Sequence, residues 1–298
     1  MRTVRKKASA RLPLAMVIAG LLSAGISGMA MAQTLSVPSH LWQGGADAGY
    51  MALMEQLTLE ENPGASIDKP MVPFADYHQQ AYVQMVSGQA ADVVVPYDPQ
   101  MDQWIQQDLL EPLNPWLEAA GIDVSSMIDS QQVAVRDGQV YGILAHANPR
   151  LLVFNQQLFE QAGHAIPTTP EEWRAAIEAI RDEGQAVFGA AVVTGGASPV
   201  DMYQYLTPIV AGFGGQWVTD GEPSATSPEV VDALKFVKDL YTDGLIPAGL
   251  SSADIVAAFQ AGKIASVITG PFLVVATRDA NPAVGEHVSL APAPLPHP

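Results

Sequence analysis

The chain has 298 residues, 48% of them hydrophobic and 15% charged, which is enough to bury the core of one large or two modest domains and excludes a disordered chain. Fourteen basic residues against 31 acidic ones give a formal charge of −17, so nucleic acid and anionic membrane surfaces, which need a basic footprint, are poor partners. There is no cysteine, which removes both a disulfide framework and a lipid-bearing thiol.

The first 32 residues carry Arg2, Arg5, Lys6, Lys7 and Arg11 and no acid, then an apolar stretch from Leu14 to Ile26, then Ala30-Met31-Ala32. This order of basic, apolar and small-residue segments predicts a secretory signal peptide cut after Ala32; the apolar stretch is shorter than the ~20 residues of a membrane span. Loss of those five of the 14 basic residues leaves nine against 31 acidic, a formal charge of −22. With no lipid-bearing cysteine, the mature chain is expected free in a bacterial periplasm, not lipid-anchored. A cationic ligand is one reading of the acidity, but a charge so diffuse is read first as a solubility adaptation.

Thr34 to Trp42 reads as a first strand, and Asp47 to Glu60 as a helix with Met51, Met54 and Leu57 on one face, stopped by Asn62-Pro63-Gly64. A strand near Ser66 to Val72, a helix from Asp76 to Ser87 ended by Gly88, and an apolar strand from Asp92 to Pro96 complete a βαβαβ opening, α/β with a mostly parallel sheet. Trp104 and Trp116 read as core. Asp137-Gly138 is a tight-turn pair, Val140 to Ala145 and Leu151 to Phe154 are short buried strands, and a polar connection from His146 to Arg150 joins them. Thr169 caps a helix that has Pro170 at its first position and Glu172 three residues after the cap. That helix runs from Glu171 to Glu183, followed by a buried strand from Ala186 to Val193, a helix from Val200 to Ala211 and a hairpin-like turn from Gly214 to Glu222. Ser227 starts a helix with Val230, Val231, Leu234, Val237 and Tyr241 at helical spacing, ended by Gly244. A last helix from Ala253 to Ala261 precedes a strand from Lys263 to Gly270.

Several of these stretches carry a resemblance. Asp137-Gly-Gln-Val-Tyr-Gly-Ile, then Val153-Phe-Asn-Gln-Gln-Leu-Phe with Ala162-Gly163, then Pro167-Thr-Thr-Pro-Glu-Glu-Trp173 resemble blocks of the family 1 extracellular solute-binding proteins of ABC importers, the maltodextrin- and glycerol-phosphate-binding type. Ala91-Asp92-Val93-Val94, the turn Leu109 to Leu113, Gly214-Gly215 with Asp220-Gly221, and the run from Phe259 through Gly262-Lys263 to Gly270-Pro271-Phe272 extend it along the mature chain; Phe154 and Pro170 depart from the pattern. The resemblance implies a two-lobe, type II-like periplasmic binding fold with parallel-rich sheets flanked by helices. Residues 33–144 and 273–298 would form the first lobe and 145–272 the second, with a second crossover at Gly270-Pro271-Phe272. It also implies a fold whose C-terminal part, on the order of a hundred residues, lies beyond Pro298, so that low stability, self-association and weak binding are expected.

A catalytic constellation is absent from the sequence: no zinc motif of the His-Glu-x-x-His type, no Gly-x-Ser-x-Gly elbow, no phosphate loop and no thiol. The histidines at 40, 78, 146, 164, 287 and 297 are scattered, and no metal, cofactor or enzyme activity is expected. A two-lobe binder places its contacts at strand ends and crossovers, a description met by Trp42, Tyr97, Asp98, Asn148, Arg150 and Phe272. Rings suit the C–H faces of a pyranose and polar groups suit its hydroxyls, so Trp42 and Phe272 are expected to face each other across the cleft with Asn148 hydrogen-bonding between them. The expected function is the periplasmic substrate-binding component of an ABC importer, monomeric when complete, which captures a sugar or sugar-like solute and hands it to the permease. Glycerol phosphate or a polyamine is the alternative solute, the first asking for several basic groups and the second for carboxylates such as Asp47, Asp76 and Asp98; a secreted sugar-active enzyme is the alternative class. The intact mass of the exported protein is expected to correspond to a chain beginning at Gln33, and a chain still beginning at Met1 in the membrane fraction contradicts the cleavage.

Overall fold

The computed structural model describes residues 33–43, 48–145, 147–182, 187–195 and 199–297, so the leader, Gly44, Gly45, Asp47 and His146 lie outside the described residues. Two separate clusters of buried side chains divide the described chain, a small one drawn from residues 77–104 and a large one drawn from residues 152–295.

Around the small cluster, β1 (Thr34–Ser36) and β2 (Ser66–Asp68) pair in parallel with Leu35 opposite Ile67, joined by α1 (Ala48–Glu61). The helices α2 (Phe74–Val86), α3 (Asp98–Gln106) and α4 (Asn114–Ala120) follow. Tyr77, Ala81 and Met85 of α2 close on the fully buried Trp104 of α3. A two-stranded sheet gives α1 little surface to cover, and so Met51 is buried while Met54 and Leu57, expected on the same packed face, are 44% and 47% exposed. Trp116 is likewise exposed and not core. The stretch from Asp92 to Pro96 runs beside β1 without becoming a strand. The Asp92 and Val93 N–H groups both donate to the Ser36 carbonyl, but the Ser36 N–H goes to the Asp92 carboxylate at 2.8 Å and the Val95 N–H to the Tyr77 hydroxyl at 2.7 Å, so no regular ladder forms.

The same substitution shapes the connection to the large cluster. The hairpin β3 (Val135–Arg136) and β4 (Gln139–Val140) turns at Asp137-Gly138, both at positive φ (51° and 75°), as a two-residue hairpin loop requires. Beyond it, Val140 to Ala145 does not continue as the expected strand. Its backbone is bound by side chains from elsewhere: Val140 N–H donates to Asn114 Oδ1 at 2.8 Å, and the buried Gln131 carboxamide donates to the Gly142 carbonyl and accepts from Leu144 N–H.

The large cluster is built on β5 (Leu151–Asn155) and α5 (Gln156–Gln161), then α6 (Pro170–Asp182) and α7 (Pro199–Gly212). A hairpin of β6 (Val218–Thr219) and β7 (Glu222–Pro223) leads to α8 (Pro228–Thr242) and α9 (Ser252–Gln260). The described chain closes with β8 (Ser266–Thr269), α10 (Phe272–Ala280), α11 (Pro282–Gly285) and β9 (Val288–Ala291). Ser227 caps α8 through the Val230 N–H; Thr169 Oγ1 caps α6 through the Glu172 N–H, while the Glu172 carboxylate reaches one residue further back than expected, to Thr168.

The sheet order is β8-β5-β9, antiparallel throughout, with Leu151 opposite Thr269 and Asn155 opposite Val288. Parallel pairing appears in β1–β2 and where the stretch 187–193 bridges to Ile264 and Val267 beside β8. This arrangement corrects two expectations. Residues 273–298 do not return to the first lobe, because β9 completes the free edge of β5 and Leu273, Val274, Val288, Ala293 and Leu295 are buried in the same core as β5. Gly270-Pro271-Phe272 is therefore a strand-to-helix turn within the second lobe, not a crossover.

One polar relay runs through this core. Trp173 Nε1 donates to Ser266 Oγ at 3.0 Å, and the Ser266 hydroxyl donates to the Gly189 carbonyl at 2.7 Å, tying α6, β8 and the stretch 187–193 together where no water reaches. Ser266→Ala strands both partners, and we expect a loss of about 1–3 kcal/mol in urea unfolding with the m value unchanged; an unaltered midpoint contradicts the relay's role.

Candidate functional site

The pairing of Leu151 with Thr269 fixes the end of the sheet at which the connecting segment enters the second lobe. Arg150 stands immediately before that pair and Gly270 immediately after it. A Cβ on Gly270 would collide with the Asn148 carboxamide, so the absent side chain is what lets Asn148 lie there. Phe272, two residues further on, opens α10 and packs on the second-lobe core.

α7 brings two more groups to this end of the sheet. Asp201 and Tyr205 are one turn apart and share a face of the helix. The Tyr205 hydroxyl approaches Thr269, whose Oγ1 makes no hydrogen bond of standard geometry, and burial raises the Tyr205 pKa. Asp201 is 4% exposed, and its Oδ2 accepts from the Ser252 hydroxyl at 2.8 Å. Ser252 is placed by the loop before α9, where Thr194 Oγ1 donates to the Pro247 carbonyl and accepts from the Gly249 N–H at 2.9 Å. Gly195 passes so near the Gly249 backbone that no side chain fits between them.

From the first lobe, Tyr97 acts electrostatically on Arg150. Burial lowers the guanidinium's pKa, and the Tyr205 and Tyr97 phenols, one from each lobe, oppose that shift. Tyr97 precedes α3 and is oriented by rings: Phe74 meets it edge-on at 5.2 Å between centroids, His78 at 5.0 Å, and His40 Nε2 lies 3.3 Å from its hydroxyl. The result is a polar cluster walled by aromatic residues, with a cation where the two lobes meet.

Four of the six residues nominated from sequence, Tyr97, Asn148, Arg150 and Phe272, fall at or beside this cluster. Trp42 lies on the neighbouring turn His40–Gln43, with Nε1 donating to the Val37 carbonyl at 2.7 Å and Lys69 Nζ 5.3 Å from its ring centroid. Trp42 and Phe272 are each engaged within their own lobe. Asp98 opens α3, and its side chain lies outside the described residues. Asp201, Tyr205, Thr269, His40 and His78 were not nominated. The only signal for the first two was a carboxylate and a phenol at helical spacing.

The sequence profile described as bacterial extracellular solute-binding protein matches residues 42–298. The chain belongs to that family. A binding protein of Brucella abortus is 28% identical to it over 291 residues, covering 92% of this chain and 68% of the relative. The GacH receptor of Streptomyces glaucescens superposes with a TM-score of 0.74 at 18% identity, over 89% of this chain and 67% of that one. An ABC transporter solute-binding protein of Thermotoga lettingae gives 0.74 at 21% identity, over 89% and 68%. These structures share the two-lobe periplasmic solute-binding fold.

The ring nest of this solute-binding protein also sets a pH dependence. Burial, and secondarily the neighbouring His40, hold the His78 pKa down to about 4 from 6.5. Between those values the unfolded chain binds the proton and the folded chain does not, so the stability is full above pH 6.5 and is lost as the pH falls toward 4. Melting temperatures across that window are expected to fall less steeply for His78→Phe than for the wild type; equal slopes contradict the assignment.

Proposed function

We propose that this solute-binding protein captures a sugar or sugar-like solute between its lobes and delivers it to the membrane permease of an ABC importer, after export to the periplasm with removal of its leader. One observation carries the reading: Arg150, partly buried beside the Leu151–Thr269 pair where the chain enters the second lobe and next to Asn148 packed on Gly270, lies within electrostatic range of Tyr97 of the first lobe and Tyr205 of the second. Two phenols and a guanidinium offer ring faces for sugar C–H groups and donors and acceptors for hydroxyls, and a ligand bound there would hold the lobes together like a closed hinge. Tyr97, Asn148, Arg150 and Phe272 form the proposed ligand surface, with Trp42 and Asp98 at its first-lobe rim. Similar folds support a carbohydrate: the GacH receptor was solved with acarbose and the Thermotoga protein with α-D-tagatose.

A thermal-shift series with neutral saccharides tests this. A saccharide at 100 times its dissociation constant is expected to stabilise the folded protein by about 2.7 kcal/mol, and Tyr97→Ala to weaken its binding by about 1–3 kcal/mol. No shift with any saccharide, or undiminished binding by the variant, contradicts the proposal.

A further inference from the structure

The ring nest that presents Tyr97 is built around a histidine. His78 stands one turn after Phe74 on α2 and is half-buried, and both of its ring nitrogens are enclosed with no hydrogen-bond partner among the described residues. Its surroundings are rings: Tyr97 at 5.0 Å between centroids, Tyr77 at 5.3 Å, Phe74 at 5.9 Å and Trp104 at 6.4 Å. The titratable groups facing it are His40 from the turn His40–Gln43, Tyr77 from its own helix and Tyr97 ahead of α3, and no carboxylate pairs with it among the described residues. A neutral imidazole leaves one buried donor unmade in such a place, whereas an imidazolium brings a charge and two N–H donors with no acceptor for either. The ring faces around it attract a cation, yet burial pushes the His78 pKa down, so the lost water outweighs them. His40 differs, because a protonated His40 would still donate from Nε2 to the Tyr97 oxygen 3.3 Å away.

We propose that His78 is a positioning residue for Tyr97 and that its protonation opens the ring nest, so that the protein holds its solute near neutral pH and releases it in acid. The proposal rests on the reading of Tyr97 as part of the solute surface. A charged His78 reaches water only by leaving the nest, and Tyr97 then loses one of the edge-on contacts that set its ring, with Phe74 and His40 left to hold it. Tyr97 lies within electrostatic range of Arg150, so a displaced ring withdraws the first lobe's contribution to the site. Linkage sets the size of the effect. A ring that titrates at about 4 in the closed nest and at 6.5 once released makes opening on the order of fiftyfold easier at pH 4.5 than at pH 7. The sign follows from the same two values: binding is full above pH 6.5 and falls as the pH drops toward 4.

Two measurements test this. In the first, the ring resonances of His78 and Tyr97 are followed by NMR in the ligand-free wild type as the pH is lowered from 7 to 4. We expect the Tyr97 resonances to move with the same midpoint as those of His78; Tyr97 resonances that stay fixed over that range overturn the proposal, and this readout needs no variant to fold. In the second, maltotriose, D-tagatose and D-mannitol are titrated calorimetrically into the wild type and His78→Phe at pH 7 and pH 4.5, at a temperature where circular dichroism shows each protein folded. The wild type is expected to bind its best probe about ten- to fiftyfold more weakly at the lower pH, and His78→Phe to bind it with a ratio near one between the two. An unchanged wild-type affinity, or the same ratio in both proteins, overturns the role of His78 and leaves the saccharide reading intact. Binding of no probe at pH 7 overturns the saccharide reading and the release step with it.

Discussion

The antiparallel pairing of β5 with β8 is the constraint on which the rest depends. Once Leu151 lies opposite Thr269, Arg150 and Asn148 must stand beside Gly270, and the turn into α10 is delivered to the same end of the sheet. β9 then closes the other edge of β5, and the relay from Trp173 through Ser266 to Gly189 holds β8 against the stretch 187–193 in a dry core. The polar cluster is therefore mounted on the most heavily buried part of the molecule. Such mounting keeps charged groups in place when nothing is bound to them.

The first lobe is built on a different balance. Among the described residues its buried cluster is four side chains beside two-stranded sheets, and several backbone groups are satisfied by Asp92, Tyr77, Asn114 and Gln131 instead of by strand pairing. It presents Tyr97 through a set of mutually edge-on rings, an arrangement that costs little backbone order and leaves His78 neutral across ordinary pH. With fewer buried apolar contacts it is the lobe whose local stability is lower, and ligand contact with Tyr97 would act on that weaker half.

What the sequence made legible was local chemistry. The turns at Asp137-Gly138 and Asp220-Gly221, the cap at Ser227 and the helix stops at Gly244 and Gly262 all follow from backbone preferences that a few neighbouring residues express. Tyr97 and Arg150 are nominated for a similar reason, since a ring after a buried stretch and a charge in a connecting segment point to a cleft. The partner of a strand was not legible. The run from Lys263 to Gly270 announces a buried strand but not which sheet buries it, and so the Gly270-Pro271-Phe272 turn after it reads as a crossover although the strand pairs with β5 and the turn stays in the second lobe. Val140 to Ala145 failed as a strand because its backbone partners, Asn114 and Gln131, come from separate elements. Asp201 was hidden by its position, because an acid in the first turn of a helix is an ordinary start signal and only its burial sets it apart.

Hydrogen exchange of the protein with and without a bound saccharide tests the central claim most directly, because it reports where the solute sits. The account predicts new protection in residues 95–101, 147–151, 201–205 and 267–271, drawn from both lobes. Protection confined to one lobe, or centred on the far end of β5 near Asn155, would contradict it.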